Sequence, residues 1–289
     1  MKNRLEYIVF ILFSRFFSLI GLKLSRKFSS FIAFVFYYFI PIRKKVVISN
    51  LQNAFSEKKY SEIESLAYKT YKSFAITLVE IMYLPYMSKQ QLVDAVHCAN
   101  PELIIEKYKQ GKGVILLSSH FGNWEFIAIS VAMQIAIPFS VIVKPLRNPY
   151  VFEWMNRFRT KFNNEIVPLG ISIRKTYQTL KEKKIVAMVA DQRGPREGER
   201  VDFFGREVSV YTGPAALAVK TGAPIIYGIP IRQKDYKYQT VLVEIPTNDL
   251  NEKDVDIINV ISQRHTAYLE KIVREYPEQW LWMHNRWKY

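Results

Sequence analysis

The chain has 289 residues, enough to bury a substantial core as one large domain or two ordinary ones. It carries 41 lysines and arginines against 26 acids, a formal charge of +15, with 49% apolar and 15% aromatic residues. A single cysteine, Cys98, excludes an intrachain disulfide and a cysteine-based metal cluster, and no helix-turn-helix, zinc-finger or RNP-type pattern accompanies the basic charge, which argues against nucleic acid.

The charge is concentrated where the chain is most apolar. Residues 1–50 hold nine cations (Lys2, Arg4, Arg15, Lys23, Arg26, Lys27, Arg43, Lys44 and Lys45) against one acid, Glu6. A basic block interleaved with long apolar runs suits an anionic membrane surface. Residues 5–22 are about long enough to span a bilayer, but Arg15 near their centre costs roughly 2.5–3.5 kcal/mol on insertion. A second run, 28–42, closes at Pro41 before Arg43-Lys44-Lys45. Neither is followed by a small-residue cleavage site, so a removable signal peptide is not expected. Residues 1–45 therefore read as a membrane-anchoring helical region, either one marginal span or two interfacial helices. The positive-inside rule keeps the cluster at 43–45 and the rest of the chain on the cytoplasmic side.

Residues 46–289 read as one further domain, helical over 46–110 and α/β over 111–289, with no Pro/Gly/Ser linker dividing them. Apolar spacing predicts helices over 46–55, 61–83 and 102–109, with Ser61 as a cap and Pro85 and Pro101 as breaks. His97 and Cys98 tempt a Cys-His reading, but adjacent residues on a strand face opposite ways. From Val114 onward strands at 114–117, 139–143, 166–169, 185–190, 225–231 and 239–245 alternate with helices at 125–135, 150–162, 173–181 and 215–220, and a final helix covers 254–275. Such alternation implies an α/β fold, a mainly parallel sheet flanked by helices on both faces.

One stretch organises the rest: Ser118-Ser119-His120-Phe121-Gly122-Asn123-Trp124-Glu125, directly after the apolar run 114–117. His120 falls on a strand-to-helix loop, at the carboxyl edge where open α/β sheets bind ligands. Glu125 falls in the first helical turn. A turn at Gly122-Asn123 would fold its carboxylate against the imidazole, fixing the tautomer and freeing the other ring nitrogen as a base. Asp191-Gln192 closes a later strand, and Asp191 is expected to pair with Arg159 or with an arginine of the loop 193–200. That loop, with Arg193 at its start, reads either as a phosphate cradle or as a solvated charge run. Phe203-Phe204-Gly205 reads as a hydrophobic wall or a core turn. The aromatics of 280–287 cap the core or sit at a membrane interface, and His265, within a helix facing Glu and Arg neighbours, and His284 are not expected to be catalytic. Four scattered histidines offer no metal-ligand spacing, and no cofactor is expected.

The run from Gly111 to Glu125 resembles the signature of the bacterial lipid A biosynthesis acyltransferases, the late lauroyl/myristoyl branch of the lysophospholipid acyltransferase-like group marked by His-x4-Asp/Glu. The resemblance continues through Val189-Ala190-Asp191-Gln192-Arg193, Val201-Asp202-Phe203-Phe204-Gly205-Arg206 and the stretch from Gly213 to Pro224, in order over most of the chain. It implies a fatty acyl chain moved from acyl carrier protein, or acyl-CoA, to a hydroxyl of a lipid A precursor at the cytoplasmic face of the bacterial inner membrane. Another glycolipid, a phosphatidylinositol mannoside or an aminolipid is the alternative acceptor, and a non-catalytic membrane-binding protein is the reading outside the enzyme class. His120 would be the base, Glu125 its orienting partner, and no acyl-enzyme would form. The resemblance expects an arginine after the second strand, so Arg159 leads as oxyanion or substrate-binding residue, ahead of Arg147, Arg193, Asp191 and Asn123 with the backbone amides beside it.

Overall fold

The sheet that places the site is built from short apolar segments buried on both faces. In the computed structural model, which describes residues 1–169, 172–250 and 256–288, the strands are β1 (Val96–Cys98), β2 (Val114–Ser118), β3 (Phe139–Val143), β4 (Glu165–Pro168), β5 (Ile185–Val189), β6 (Arg200–Asp202), β7 (Glu207–Ser209), β8 (Ile225–Gly228), β9 (Ile231–Arg232), β10 (Tyr238–Thr240) and β11 (Leu242–Ile245). The main sheet runs β11-β8-β2-β5-β3-β4, parallel throughout except for the antiparallel edge strand β11. Val114, Ile115 and Leu117 in β2 are fully buried, as a central parallel strand covered on both sides requires.

The helices are α1 (Lys2–Tyr38), α2 (Lys44–Ala54), α3 (Tyr60–Tyr83), α4 (Lys89–Ala95), α5 (Glu102–Lys109), α6 (Trp124–Ile135), α7 (Pro149–Arg159), α8 (Ser172–Lys181), α9 (Gly213–Thr221) and α10 (Ile257–Glu275). The expected start of the last helix, at 254, lies outside the described residues. Ser61 is not a cap: α3 begins at Tyr60, and the Glu62 carboxylate accepts from Lys59 N at 3.0 Å. Two expected strands are split: 225–231 breaks around Pro230, which cannot donate to a ladder, and 239–245 passes from one sheet to the other between Thr240 and Leu242. In β1, His97 is exposed between buried Val96 and Cys98, on opposite faces.

Helix α1 is two helices in sequence. Gly21 takes φ 76 and ψ 158, which is not helical, so residues 2–20 and 22–38 form separate arms. Small and aromatic side chains (Ser14, Phe17, Ser25, Ser29, Ala33 and Tyr37) are buried on one side, and Ser14 Oγ donates to Met82 O of α3 at 2.6 Å. Leu5, Ile8, Leu12, Leu19, Phe31 and Phe34 stand exposed. By length and composition α1 is the one helix among the described residues long and apolar enough to cross a membrane.

Candidate active site

Sheet register brings the first two site residues together. Ser118 of β2 pairs with Val189 of β5, so two residues further along each parallel strand His120 meets Asp191. His120 Nδ1 lies 2.8 Å from Asp191 Oδ1, and His120 N donates to Asp191 Oδ2 at 2.9 Å. Trp280 Nε1 also donates to Oδ2, at 2.9 Å. The aspartate is therefore held by three donors while buried at 4% exposure. A carboxylate so placed only accepts, so Nδ1 carries the hydrogen and Nε2 keeps its lone pair.

The carboxylate on the imidazole is thus Asp191, not Glu125; Arg159 pairs with Glu125 instead of Asp191, and Arg286 acts on Asp191 electrostatically. The reason is geometric. Glu125 sits on α6, which leaves the sheet edge and carries its side chain to the end of α7, where Arg159 Nε and Nη2 contact its two oxygens at 2.8 and 2.6 Å. This fork-to-fork pair is largely buried at the cleft wall, and Asn156 Oδ1 accepts from Arg159 Nη1 at 3.0 Å. Burial disfavours the charged guanidinium, but Glu125 outweighs it and raises the Arg159 pKa. Burial likewise disfavours the imidazolium of His120, yet Asp191, with Glu125 behind it, raises its pKa above the ordinary 6.5. Burial pushes the Asp191 carboxyl up, but His120 and Trp280 outweigh it and lower its pKa below 3.8.

Removing one member of the Glu125–Arg159 pair strands a buried charge, which typically costs about 3–5 kcal/mol. Arg159→Met is expected to lower stability by that order in chemical denaturation, and the double variant with Glu125→Gln to recover much of it. A double variant as unstable as the two losses added would refute the pairing.

The other expected site residues divide. Arg147 is exposed and lines the cleft. Asn123 is fully buried, caps α6 by accepting from Phe126 N at 3.2 Å and donates to Glu80 Oε2 at 3.1 Å. The neighbouring Gly122 N–H is committed to Gln279 O at 3.0 Å. Arg193 donates to Asn285 O, and its backbone N–H donates to His284 Nε2 at 3.1 Å; it does not line the cleft. The loop 193–200 is tied at both ends, Gly194 N and Val210 N bonding across to Ser209 O and Glu199 O, and its Pro195 and Gly198 line the cleft. Phe203-Phe204-Gly205 is a core turn between β6 and β7, with Phe203 stacked on Trp287 at 5.6 Å. Trp280 and Trp282 are buried, and Leu281 N donates to His120 O at 2.9 Å, so the C-terminal aromatics support the site from beneath. His265 is buried against Tyr227, and burial, together with the charge of Arg286, lowers its pKa to about 4.

Gly122 makes the loop possible. Its φ is +50, and a Cβ there would lie 2.2 Å from Pro230 O. Gly122→Ala is expected to cost about 1–3 kcal/mol or more in thermal unfolding and to displace His120; an unchanged melting temperature with full activity would contradict that fit.

His120, Trp124, Glu125 and Arg159 line one side of a cleft of about 1430 Å³, larger than the roughly 300–1,000 Å³ of common ligand sites. Its walls are mainly apolar: Phe10 of α1, Leu78 and Ile81 of α3, Ile127, Val141 and Met155. Lys144, Arg147, Arg174 and Lys220 are its exposed cations. Among the described residues no three His, Cys, Asp or Glu side chains cluster as metal ligands.

A positioned imidazole beside a long apolar cleft is what acyl transfer to a lipid needs, and residues 3–289 match the family model described as bacterial lipid A biosynthesis acyltransferase. The chain belongs to that family. It is similar to a lipid A biosynthesis lauroyltransferase of Escherichia coli (strain K12), 25% identical over 256 residues, covering 86% of this chain and 80% of the relative. A phosphatidylinositol mannoside acyltransferase of Mycolicibacterium smegmatis is 23% identical over 222 residues, 74% of this chain and 70% of the relative. A lipid A biosynthesis palmitoleoyltransferase of Escherichia coli (strain K12) is 23% identical over 257 residues, with 86% and 80% covered. The chain is an acyltransferase of this family, with the α/β fold expected from its sequence.

Proposed function

We propose that this acyltransferase moves a fatty acyl chain from an acyl thioester to a hydroxyl of a lipid A precursor, with His120 as the general base. The observation that carries the reading is the His120–Asp191 pair at the wall of the apolar cleft: Asp191 holds Nδ1, and Nε2 is left to accept the acceptor's proton. As that proton moves to Nε2, the acceptor oxygen bonds to the thioester carbonyl carbon. The tetrahedral oxyanion then expels the thiolate, which takes the proton back from the imidazolium. No protein nucleophile is needed, so no acyl-enzyme forms. Asp191 stabilises the imidazolium while it exists. Arg159, held at the cleft wall by Glu125, and the positive end of α6 are the oxyanion stabilisers. Lys144, Arg147, Arg174 and Lys220 suit the phosphates of the acceptor or of an anionic donor such as acyl carrier protein. With one face packed on α3 and the other apolar and exposed, α1 suits seating on the bacterial inner membrane from its cytoplasmic side, with the bend at Gly21 favouring two interfacial arms.

Mass spectrometry of lipid extracts with and without the gene tests the acceptor. Lipid A lacking one acyl chain is the expected result. Unchanged lipid A with an altered phosphatidylinositol mannoside, the second reading carried by the likeness to the mycobacterial relative, would replace it. The donor is tested with the purified chain, given lauroyl-acyl carrier protein or lauroyl-CoA in turn.

A further inference from the structure

We propose that the N-terminal helix is a working part of the active site: Arg26 of α1, acting through the buried Glu80 of α3, positions the loop that carries His120. The inference rests on the acyl-transfer reading above. Glu80 has no exposed surface. Its Oε1 receives Arg26 Nε at 2.8 Å, and its Oε2 receives Asn123 Nδ2 at 3.1 Å and Tyr238 Oη at 2.6 Å. Asn123 in turn caps the helix that starts beside His120. One turn earlier on α3, Thr77 Oγ1 donates to Gly122 O at 2.6 Å, and Arg232 ties Thr77 Oγ1 to Tyr238 Oη with bonds of 2.9 Å each. The two residues after His120-Phe121 are thus held from α3 by Thr77 and Glu80.

Anchoring alone does not call for this arrangement. Where α1 packs on α3, Tyr37 already packs on Tyr68 and Tyr71, and a buried ion pair is commonly no more stabilising than apolar side chains of the same size. A buried carboxylate that divides its two oxygens between the N-terminal helix and the loop after His120 does something packing cannot: it fixes the relative position of both ends. Without Arg26, Glu80 has Arg232 as its other cation, reached through Tyr238, and is drawn that way. The bond to Asn123 then weakens, and the α6 cap and His120 shift together. Arg26 and Glu80 are positioning residues, and neither touches the reacting atoms.

The test uses the full chain in detergent micelles, where recruitment to a membrane does not limit the rate. Arg26→Gln is expected to lower kcat about tenfold with KM for donor and acceptor within about twofold, because small misplacements of a catalytic group act on the chemical step. The pH midpoint of His120 should not move. Arg15→Gln, the same charge change on the exposed side of α1, should leave kcat unchanged. Glu80→Gln should behave like Arg26→Gln, and the double variant should lose no more than the worse single, as for residues acting as a unit. Arg26→Gln within twofold of wild-type kcat while cooperatively folded, or losses that multiply in the double, overturns the proposal. If Glu80→Gln does not fold, Arg26→Lys decides: partial recovery of kcat over Arg26→Gln supports the link, and none overturns it. An inactive His120→Ala beside a wild-type-like Arg26→Gln defeats only this inference, whereas a fully active His120→Ala defeats the reading of His120 as the base on which it rests.

Discussion

His120→Ala is expected to reduce kcat for acyl transfer by at least about 10²–10⁴-fold, the usual worth of a positioned general base. The loss should fall on kcat with little change in KM, because the imidazole is a small part of the lining of a cleft of about 1430 Å³ that also offers apolar walls and four cations. The variant should fold: Asp191 keeps Trp280 Nε1 and the backbone N–H of residue 120, and the loop keeps its bonds through Gly122 to Thr77 and Gln279. Transfer from a radiolabelled acyl thioester, read alongside vesicle binding, separates the two classes of function. Lost transfer with retained vesicle binding fits an enzyme. Lipid acylation in cells that survives the substitution would leave His120 without a chemical role.

Asp191→Asn is the second large effect, about 10²–10⁴-fold in kcat, and it carries a distinctive pH signature. Asp191 accepts from His120 N, His120 Nδ1 and Trp280 Nε1. Asparagine has one oxygen and one NH₂, and cannot accept from all three. If its NH₂ faces the ring, Nδ1 must become the acceptor, and the hydrogen then sits on Nε2, where it blocks the base. The pH dependence arises from the same groups. The base works only when neutral, so activity rises as pH climbs through the His120 pKa, which Asp191 holds above 6.5 against burial. Loss of that carboxylate leaves burial dominant, so the acidic limb of the kcat/KM profile should move to lower pH while its plateau falls. A limb that stays put, or moves up, would show that Asp191 does not set the charge of His120.

The candidate site was only partly legible in the amino-acid order. His120 and Glu125 stand out because an apolar run ending in a polar, glycine-containing turn marks a strand handing over to a helix, and a charged residue in the first helical turn is easy to place. Their partners are not local. Asp191 lies 71 residues from His120 and meets it because β2 and β5 are neighbours in register; Arg159 reaches Glu125 because α7 ends against α6. Close spacing in sequence made Glu125 look like the partner of His120, although a residue carried off on a departing helix meets whatever packs on that helix. Asn123 misled for a related reason, since an amide beside a catalytic loop resembles a substrate ligand until its two ends are seen spent on the α6 cap and on Glu80.

Glu80 itself gave no signal, because a lone acid in an amphipathic helix reads as solvated until Arg26, Asn123 and Tyr238 are placed around it. Local order therefore determined the things that depend on period and turn chemistry: the parallel α/β core, the exposed apolar N-terminus and the loop that holds the imidazole. Only the assembled sheet and its helices decided which charge faces which, since an ion pair is made by distance in space, and strand order and helix packing bring together residues that the chain keeps far apart.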